Sequence, residues 1–373
     1  MDYQSMAKGS CAKIEEAAGQ FLIVGTPISC GRYGNGHIND TFLLCAGEDG
    51  RKDRLHRYIL QRMNTHVFRC PEGLMGNVSG VTAYLQEQIR KSGGDPDRET
   101  LTLVKTKDGR DYYVDTMGSW WRMYLFIEDA TGYDAAESQE DFYQSAKAFG
   151  QFQRRLAGYP VEKLAETIPD FHNTPKRYAD FLRAAEEDVK GRASEVSEEI
   201  AFVKAREKEM SLVMDKLKTG EIPYRVTHND TKLNNVLLDN RTRKAVCVID
   251  LDTVMPGTAL FDFGDSIRFG ANTAAEDEQD LDKVSLSLPL YEAYLRGFLE
   301  GCAGSLTRQE IRMLPWGAKL MTVECGMRFL TDYLEGDKYF QIHRPGHNLD
   351  RARVQFALAA DMERKWGEME RLF

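Results

Sequence analysis

The chain has 373 residues, 49 Lys plus Arg against 58 Asp plus Glu for a formal net charge of −9, and is 42% apolar and 29% charged. That composition excludes the disordered and collagenous classes, and the length suffices for two domains, each with its own core. No dense basic stripe offsets the acidic balance, so nucleic acid and anionic membranes are excluded as main partners, whereas a small anion held by backbone amides or a metal ion is not.

In chain order, the first residues lack the basic and long apolar regions of a signal peptide, and residues 12–23 have helical periodicity. From "PISCGRYGNGHINDTFLLCAG" onward short alternating strands predominate, continued by "RYILQRMN" (57–64) and by "LTLVKTKDGRDYYVD" (101–115), whose "KDGR" predicts a hairpin turn. Between them "GLMGNVSGVTAYLQEQIRKSGG" predicts a helix closed by Gly-Gly. "WWRMYLFIEDATGYD" (120–134) starts as a strand and ends in turn residues, and helical patterns prevail after it. We therefore expect an α+β, two-lobed fold: an N-terminal lobe over 1–127 with a small antiparallel sheet and one helix, and a mainly helical C-terminal lobe over 128–373. No apolar run is long enough to span a membrane. The seven cysteines are odd in number and scattered, Cys30 and Cys45 being the nearest pair, which predicts reduced thiols and a cytoplasmic protein rather than a disulfide or zinc framework.

The chemistry concentrates in "VTHNDTKLNNVLLDN" (226–240), a polar loop between two short predicted strands, and in "KAVCVIDLDTVMPG", a strand that ends on Asp250. Adjacent strands would set Asp230, Asn235 and Asp250 at one sheet edge. A carboxylate and an amide oxygen suit Mg²⁺ that shares itself with substrate phosphates. Phosphoryl transfer further needs a carboxylate free of metal to receive the hydroxyl proton, and a cation on the migrating group. Asp230 fits the base, Lys232 the cation, Asn235 and Asp250 the metal. The spacing Asp-x-x-x-x-Asn alone is common; joined to the later strand aspartate and to the glycine turn Gly31, Gly34 and Gly36, it points to ATP and Mg²⁺. Glycine lets such a turn bring backbone amides onto phosphate. The literal "DFG" at 262–264 is set aside, because it does not end the strand that follows the loop.

"HNDTKLNN" has the order of a kinase catalytic loop, and with "VIDLD" it resembles the aminoglycoside phosphotransferase and choline kinase superfamily. There the metal aspartate ends a strand and a further aspartate braces the loop, places matched by Asp250 and Asp262. "YGNGHIN", "RYILQRMN", "LFDFGDSIRFG" and "ECGMRFLTDYLEGD" extend the resemblance to the N-acetylhexosamine 1-kinases, which phosphorylate the anomeric hydroxyl of N-acetylglucosamine and N-acetylgalactosamine. The resemblance implies sugar contacts from His37, Phe269, Arg328 and Tyr339. Adenine would meet the hinge backbone at Phe126 to Glu128, with Gly34, Gly36 and Gln61 toward the phosphates.

Several residues keep a plainer alternative. Gln61 stands where a phosphate-pairing lysine is expected and carries no charge; Arg62, another cation or the metal would have to compensate, and Glu87 is a weak candidate for the helix carboxylate. His228 reads as loop support, Asp262 and Asp265 as braces. His343 and His347 are spaced for a metal, but Pro345 and Gly346 break the helix such a pair needs. Two other functions stay open: a kinase of another small alcohol or amine, and a nucleotide-binding module without catalysis. Asp230 does not separate the sugar kinase from the first of these.

Overall fold

The structure, a computed structural model, describes residues 8–34, 38–48 and 55–373, without the side chains of Lys8 to Ala12; Gly36 and His37 lie outside the described residues. The chain divides into two compact units, one of Met1–Ala130, Glu162–Ile168 and Val246–Met255, the other of Thr131–Val161, Pro169–Ala245 and Pro256–Phe373.

In the first unit, helix α1 (Lys8–Ala18) precedes strands β1 (Thr26–Arg32), β2 (Asp40–Gly47) and β3 (Leu55–Arg62), helices α2 (Pro71–Lys91) and α3 (Pro96–Glu99), and strands β4 (Tyr113–Val114) and β5 (Trp120–Leu125). The five strands form one antiparallel sheet in the order β1-β2-β3-β5-β4. Its pleat sorts side chains with period two. Phe42, Leu44, Ala46, Tyr58, Leu60, Trp121 and Met123 bury one face against Ile14, Ala17 and Phe21; Gln61 and Arg122, opposite each other in register, occupy the other face.

Helix α2 starts at Pro71, buries the stripe Leu74, Val78, Val81, Leu85 and Ile89, and stops at Ser92 before Gly93, whose φ is 77°. Its buried Asn77 explains why two distant segments join this unit. The side-chain amide donates to the carbonyls of Ala165 (2.8 Å) and Val254 (2.9 Å), and its oxygen accepts from the Ala165 N–H (2.8 Å). Over 101–115 the predicted turn is present, with Gly109 N–H on the Thr106 carbonyl at 2.8 Å, but the only regular strand is β4. The arm before the turn divides its bonds, Val104 donating to Met123 and Thr102 accepting from Leu125 of β5 while Lys105 accepts from Leu22, so no continuous hairpin ladder forms.

The second unit is mainly helical. Strands β6 (Ala130–Gly132), β7 (Arg225–Thr227), β8 (Val236–Asp239), β9 (Ala245–Val248) and β10 (Met255–Gly257) are short, and β6, β9 and β10 fall at unit boundaries. Helices α4 (Gln139–Arg155), α5 (Thr174–Glu187), α6 (Ser197–Lys204), α7 (Leu212–Thr219), α8 (Ala259–Gly270), α9 (Leu288–Cys302), α10 (Arg308–Glu335), α11 (His347–Arg364) and α12 (Trp366–Glu370) make the body. α10 begins at a capping box, Thr307 Oγ1 accepting from Glu310 N–H while the Glu310 carboxylate accepts from Thr307 N–H. Its Met327, Leu330 and Leu334 pack with Phe181 of α5 and Ala352, Phe356 and Ala359 of α11. Among the described residues no helix is long and apolar enough to cross a membrane.

Candidate active site

β7 and β8 hold both ends of the loop His228 to Asn235, as the two predicted strands require. Within it three of the predicted residues converge. Lys232 Nζ lies 3.0 Å from Asp230 Oδ1, and Asn235 Nδ2 donates to the Asp230 carbonyl at 2.8 Å and to Oδ2 at 3.1 Å. The Asn235 amide nitrogen is thereby committed to Asp230, and its oxygen is left to accept a hydrogen bond or to ligate a cation. Asp230 remains 30% exposed, so a substrate hydroxyl can reach it. The Asp230 charge beside Lys232 raises the lysine pKa, which keeps the ammonium charged at neutral pH.

Helix α8 supplies the frame under this loop. The Asp262 carboxylate accepts the backbone N–H of His228 (3.1 Å) and of Asn229 (2.8 Å), and Asp265 accepts that of Thr231 (2.9 Å). Thr231 Oγ1 donates to the Asp262 carbonyl, and Ser266 Oγ to that of Thr231. These bonds hold Asn229 at φ 64°, a left-handed conformation that costs energy outside glycine. Burial raises the Asp262 pKa further than its donors and His228 lower it; for Asp265 burial acts upward too, but Arg268 and Lys232 outweigh it and hold the carboxyl below the ordinary range. His228 is buried edge-on to Phe149 and Phe152, and its Nδ1 accepts the Asp230 N–H at 3.3 Å. The "DFG" at 262–264 is a helical brace: a Cβ on Gly264 would lie 2.2 Å from the Gly317 carbonyl oxygen where α8 crosses α10.

In the first unit Asp250, two residues past the end of β9, caps a short turn at φ 59°, ψ 62°, a second strained residue at a predicted functional position. Gly34 also has positive φ, 74°, with open space around it. Gln61 accepts from Arg122 Nε (2.9 Å) and donates to Thr41 (3.0 Å). Arg62 is tied to Asp40 at the sheet edge, and Glu87 is on the surface of α2, paired with Lys91 at 2.6 Å. At the hinge, Phe126 N–H is already donated to the Arg57 carbonyl (3.1 Å), and the Glu128 carbonyl accepts from Arg98 while its carboxylate pairs with Arg57. What the hinge offers outward is an aromatic surface: Phe126 lies edge-on to Tyr33 at 5.8 Å, with Arg57 over its ring at 4.6 Å.

In the second unit the Arg328 guanidinium lies against the rings of Phe171 (5.3 Å) and Phe340 (5.5 Å), and no described residue hydrogen-bonds it. Tyr339, 67% exposed, stands edge-on to Phe340. The segment carrying both is clasped by Asp332, whose carboxylate accepts the N–H groups of Lys338, Tyr339 and Phe340 at 2.8, 2.8 and 2.9 Å, and the Asn348 amide. Phe269 is half-buried on the last turn of α8, next to Arg268, which binds Asp265.

Sequence reasoning missed His172. Its Nδ1 pairs with Glu324 at 2.8 Å, its buried Nε2 has no partner among the described residues, and its ring lies between Phe171 and Phe261. Glu324 also accepts from Thr174 at 2.6 Å; burial pushes its carboxyl up, but His172, Thr174 and Arg328 together hold it below the ordinary range. The available signal was Glu324 one helical turn before Arg328; nothing local marks His172.

The fold recurs in solved structures. A microcompartment-associated aminopropanol kinase is 17% identical with a TM-score of 0.60, the match covering 97% of this chain and 100% of that one. An aminoglycoside phosphotransferase from Alicyclobacillus acidocaldarius is 13% identical, with a TM-score of 0.59 and 96% coverage of both chains. A spectinomycin phosphotransferase, solved with ADP and spectinomycin, is 13% identical with a TM-score of 0.53, covering 96% of this chain and 100% of that one. At these identities the likeness is one of fold, an antiparallel-sheet N-terminal lobe with a helical C-terminal region. The phosphotransferase enzyme family profile (APH) matches residues 98–297, more than half the chain and inclusive of the loop, Asp250 and α8. A loop built around Asp230, Lys232 and Asn235, on the fold of these enzymes, thus carries its family with it: the chain belongs to the phosphotransferase enzyme family.

Proposed function

We propose that the protein is a cytoplasmic, Mg²⁺-dependent kinase that transfers the γ-phosphoryl group of ATP to the anomeric hydroxyl of N-acetylhexosamines, giving sugar 1-phosphates. The observation that carries phosphoryl transfer is the Asp230 carboxylate fixed by Lys232 and Asn235 on a loop whose backbone is braced by Asp262 and Asp265. Residues 1–127 are assigned to the nucleotide and 128–373 to the catalytic loop and the sugar. No nucleic acid or membrane partner is invoked.

Asp230 accepts a hydrogen bond from the anomeric hydroxyl and points its oxygen at the γ-phosphorus. As the new O–P bond forms and the bond to the β-phosphate oxygen breaks, ADP leaves and the hydroxyl proton passes to the carboxylate. A carboxylate is a weak base toward an alcohol. Its contribution is therefore alignment and acceptance of a proton released late. The donor set fits magnesium, since the Asn235 amide oxygen and the Asp250 carboxylate are the oxygen ligands this ion prefers. When bound, the metal would neutralise charge on the β and γ phosphate oxygens. Lys232, 3.0 Å from Asp230 Oδ1, orients the carboxylate.

The sugar assignment rests on Arg328. A guanidinium without an acceptor among the described residues, set against two aromatic rings, offers a fork for hydroxyls or an acetamide carbonyl and apolar surface for a pyranose face. An amino alcohol, the substrate type in the name of the aminopropanol kinase, suits this wall less. Its ammonium would meet Arg328 and the nearby Arg177, whose pKa is lowered by burial and by the Arg328 charge.

Phosphorus NMR of the product formed from ATP, with a panel of free sugars and amines, tests the assignment. A 1-phosphate of N-acetylglucosamine or N-acetylgalactosamine is the expected result. A 6-phosphate alone, or turnover confined to amines or other alcohols, overturns the sugar assignment, and nucleotide binding without turnover on any acceptor overturns the kinase.

A further inference from the structure

Gln61 leaves the third strand without the lysine that, in protein kinases, pairs with a helix carboxylate and positions the nucleotide phosphates. The cation is one strand over. Gln61 and Arg122 face each other in register on β3 and β5 and are hydrogen-bonded at 2.9 Å. Arg122 Nη1 lies 2.5 Å from Asp252 Oδ1, the two side chains being 1% and 3% exposed, and its guanidinium covers the Tyr124 ring at 5.4 Å. The other Asp252 oxygen accepts from Asn39 Nδ2 at 2.6 Å, and Asn39 Oδ1 accepts the Asn64 N–H at 2.9 Å. One line of bonds therefore runs from the sheet through Asp252, two residues beyond Asp250, to Asn39 beside the glycine turn. All of these groups belong to the first unit.

We infer that the Arg122–Asp252 pair is the strut that replaces the lysine–carboxylate pair, with Arg122 a positioning residue that sets Asp250 and Asn39 against the sheet for the magnesium-loaded nucleotide. At 1% exposure Arg122 is enclosed by protein, so it works through Asp252 rather than as an open phosphate contact. A buried ion pair is a poor source of net stability, because desolvation offsets its attraction, but breaking one partner is costly. It is therefore suited to fixing position. Asp250 needs such a support, since its left-handed backbone persists only where the surroundings determine it. Burial works against the Arg122 charge, and Asp252, Tyr124 and Asp250 more than restore it.

The inference rests on the kinase reading, and the experiment separates the two. Steady-state kinetics, Mg²⁺ titration, calorimetric Mg·ADP binding and melting curves are measured for wild type, Arg122→Met, Arg122→Lys, Asn39→Ala and the double variant Gln61→Lys/Arg122→Met. In Arg122→Met, kcat/KM for Mg·ATP is expected to fall about 10²-fold, the scale of a misplacement of about 1 Å. The Mg²⁺ midpoint should rise about tenfold, as when support behind a metal ligand is lost. Arg122→Lys should recover part of the loss, and the double variant about tenfold, because the new ammonium enters the same space from β3. A lower melting temperature with unchanged Mg²⁺ midpoint and unchanged kcat/KM of the folded fraction would overturn the strut. If Arg122→Met does not fold, Asn39→Ala decides: a rise of about tenfold in the Mg·ATP KM at an unchanged melting temperature supports it, and an unchanged KM overturns it. Wild type inactive on every acceptor sinks the kinase instead, and the same variants compared by Mg·ADP affinity, with about tenfold weakening expected and no weakening fatal, then test the strut alone.

Discussion

At Asp230 the carboxylate has two protein neighbours and an open side, so its removal should affect chemistry far more than folding. Asp230→Asn is expected to lower kcat by about 10²-fold or more, the low end for proton-transfer assistance, with an unaltered melting curve; kinetics and calorimetry on one preparation check both halves. Arg328→Ala removes a fork bonded to no described residue. We expect the KM for N-acetylhexosamine to rise tenfold or more, since a hydrogen bond to a charged group contributes about 1.5–3 kcal/mol, while the KM for ATP stays put. Loss of ATP affinity instead would move Arg328 out of the acceptor site.

At the scale of elements, α8 ties the loop His228 to Asn235 to the helical body. Gly264→Ala forces a methyl against the Gly317 carbonyl, and overpacking of this kind costs about 1–3 kcal/mol. Because Asp262 and Asp265 ride on α8, activity should fall together with melting temperature, unlike in Asp230→Asn. Acid stability follows from the same helix. Burial opposes the Asp265 charge, but Arg268 and Lys232 prevail and depress its folded pKa. Its contribution is therefore complete above the unfolded value of about 3.9 and disappears as pH falls through the folded value. Asp262 has a raised pKa and the opposite sign: it favours the folded state most below the unfolded value and less as pH climbs through the folded one. Asp265→Asn should consequently flatten the stability–pH curve below pH about 4, whereas Asp262→Asn should remove a loss of stability that sets in as pH rises above about 4; urea midpoints measured on both sides of that pH test the contrast.

For the whole molecule, ligand linkage gives the broadest test. Mg·ADP at a hundred times its Kd should stabilise the fold by about 2.7 kcal/mol, and a chelator should remove the Mg²⁺-dependent part; an unchanged melting temperature would count against the nucleotide site. How far the molecule was legible in its sequence divides along physical lines. The loop Asp230, Lys232 and Asn235 was readable because its geometry is local, set within a few residues of one turn. The sheet and helices were readable because burial imposes period two or a helical stripe, as Phe42, Leu44 and Ala46 or Leu74, Val78 and Val81 show. Arg122 was not, because its meaning depends on the register that sets it opposite Gln61 and on a carboxylate more than a hundred residues away. The His172–Glu324 pair likewise joins segments that share no pattern. The arm at 101–106 failed for a related reason, its strand-like residues being divided between two partners rather than one ladder.

The clasp around Asp332 has one more implication. Three successive amides converging on a single carboxylate settle the course of residues 338 to 340 whatever their side chains are, because every bond is made by backbone. Phe340 is thereby held against the core and Tyr339 at the surface, so a change at Tyr339 alters one exposed side chain without rebuilding the bracket underneath.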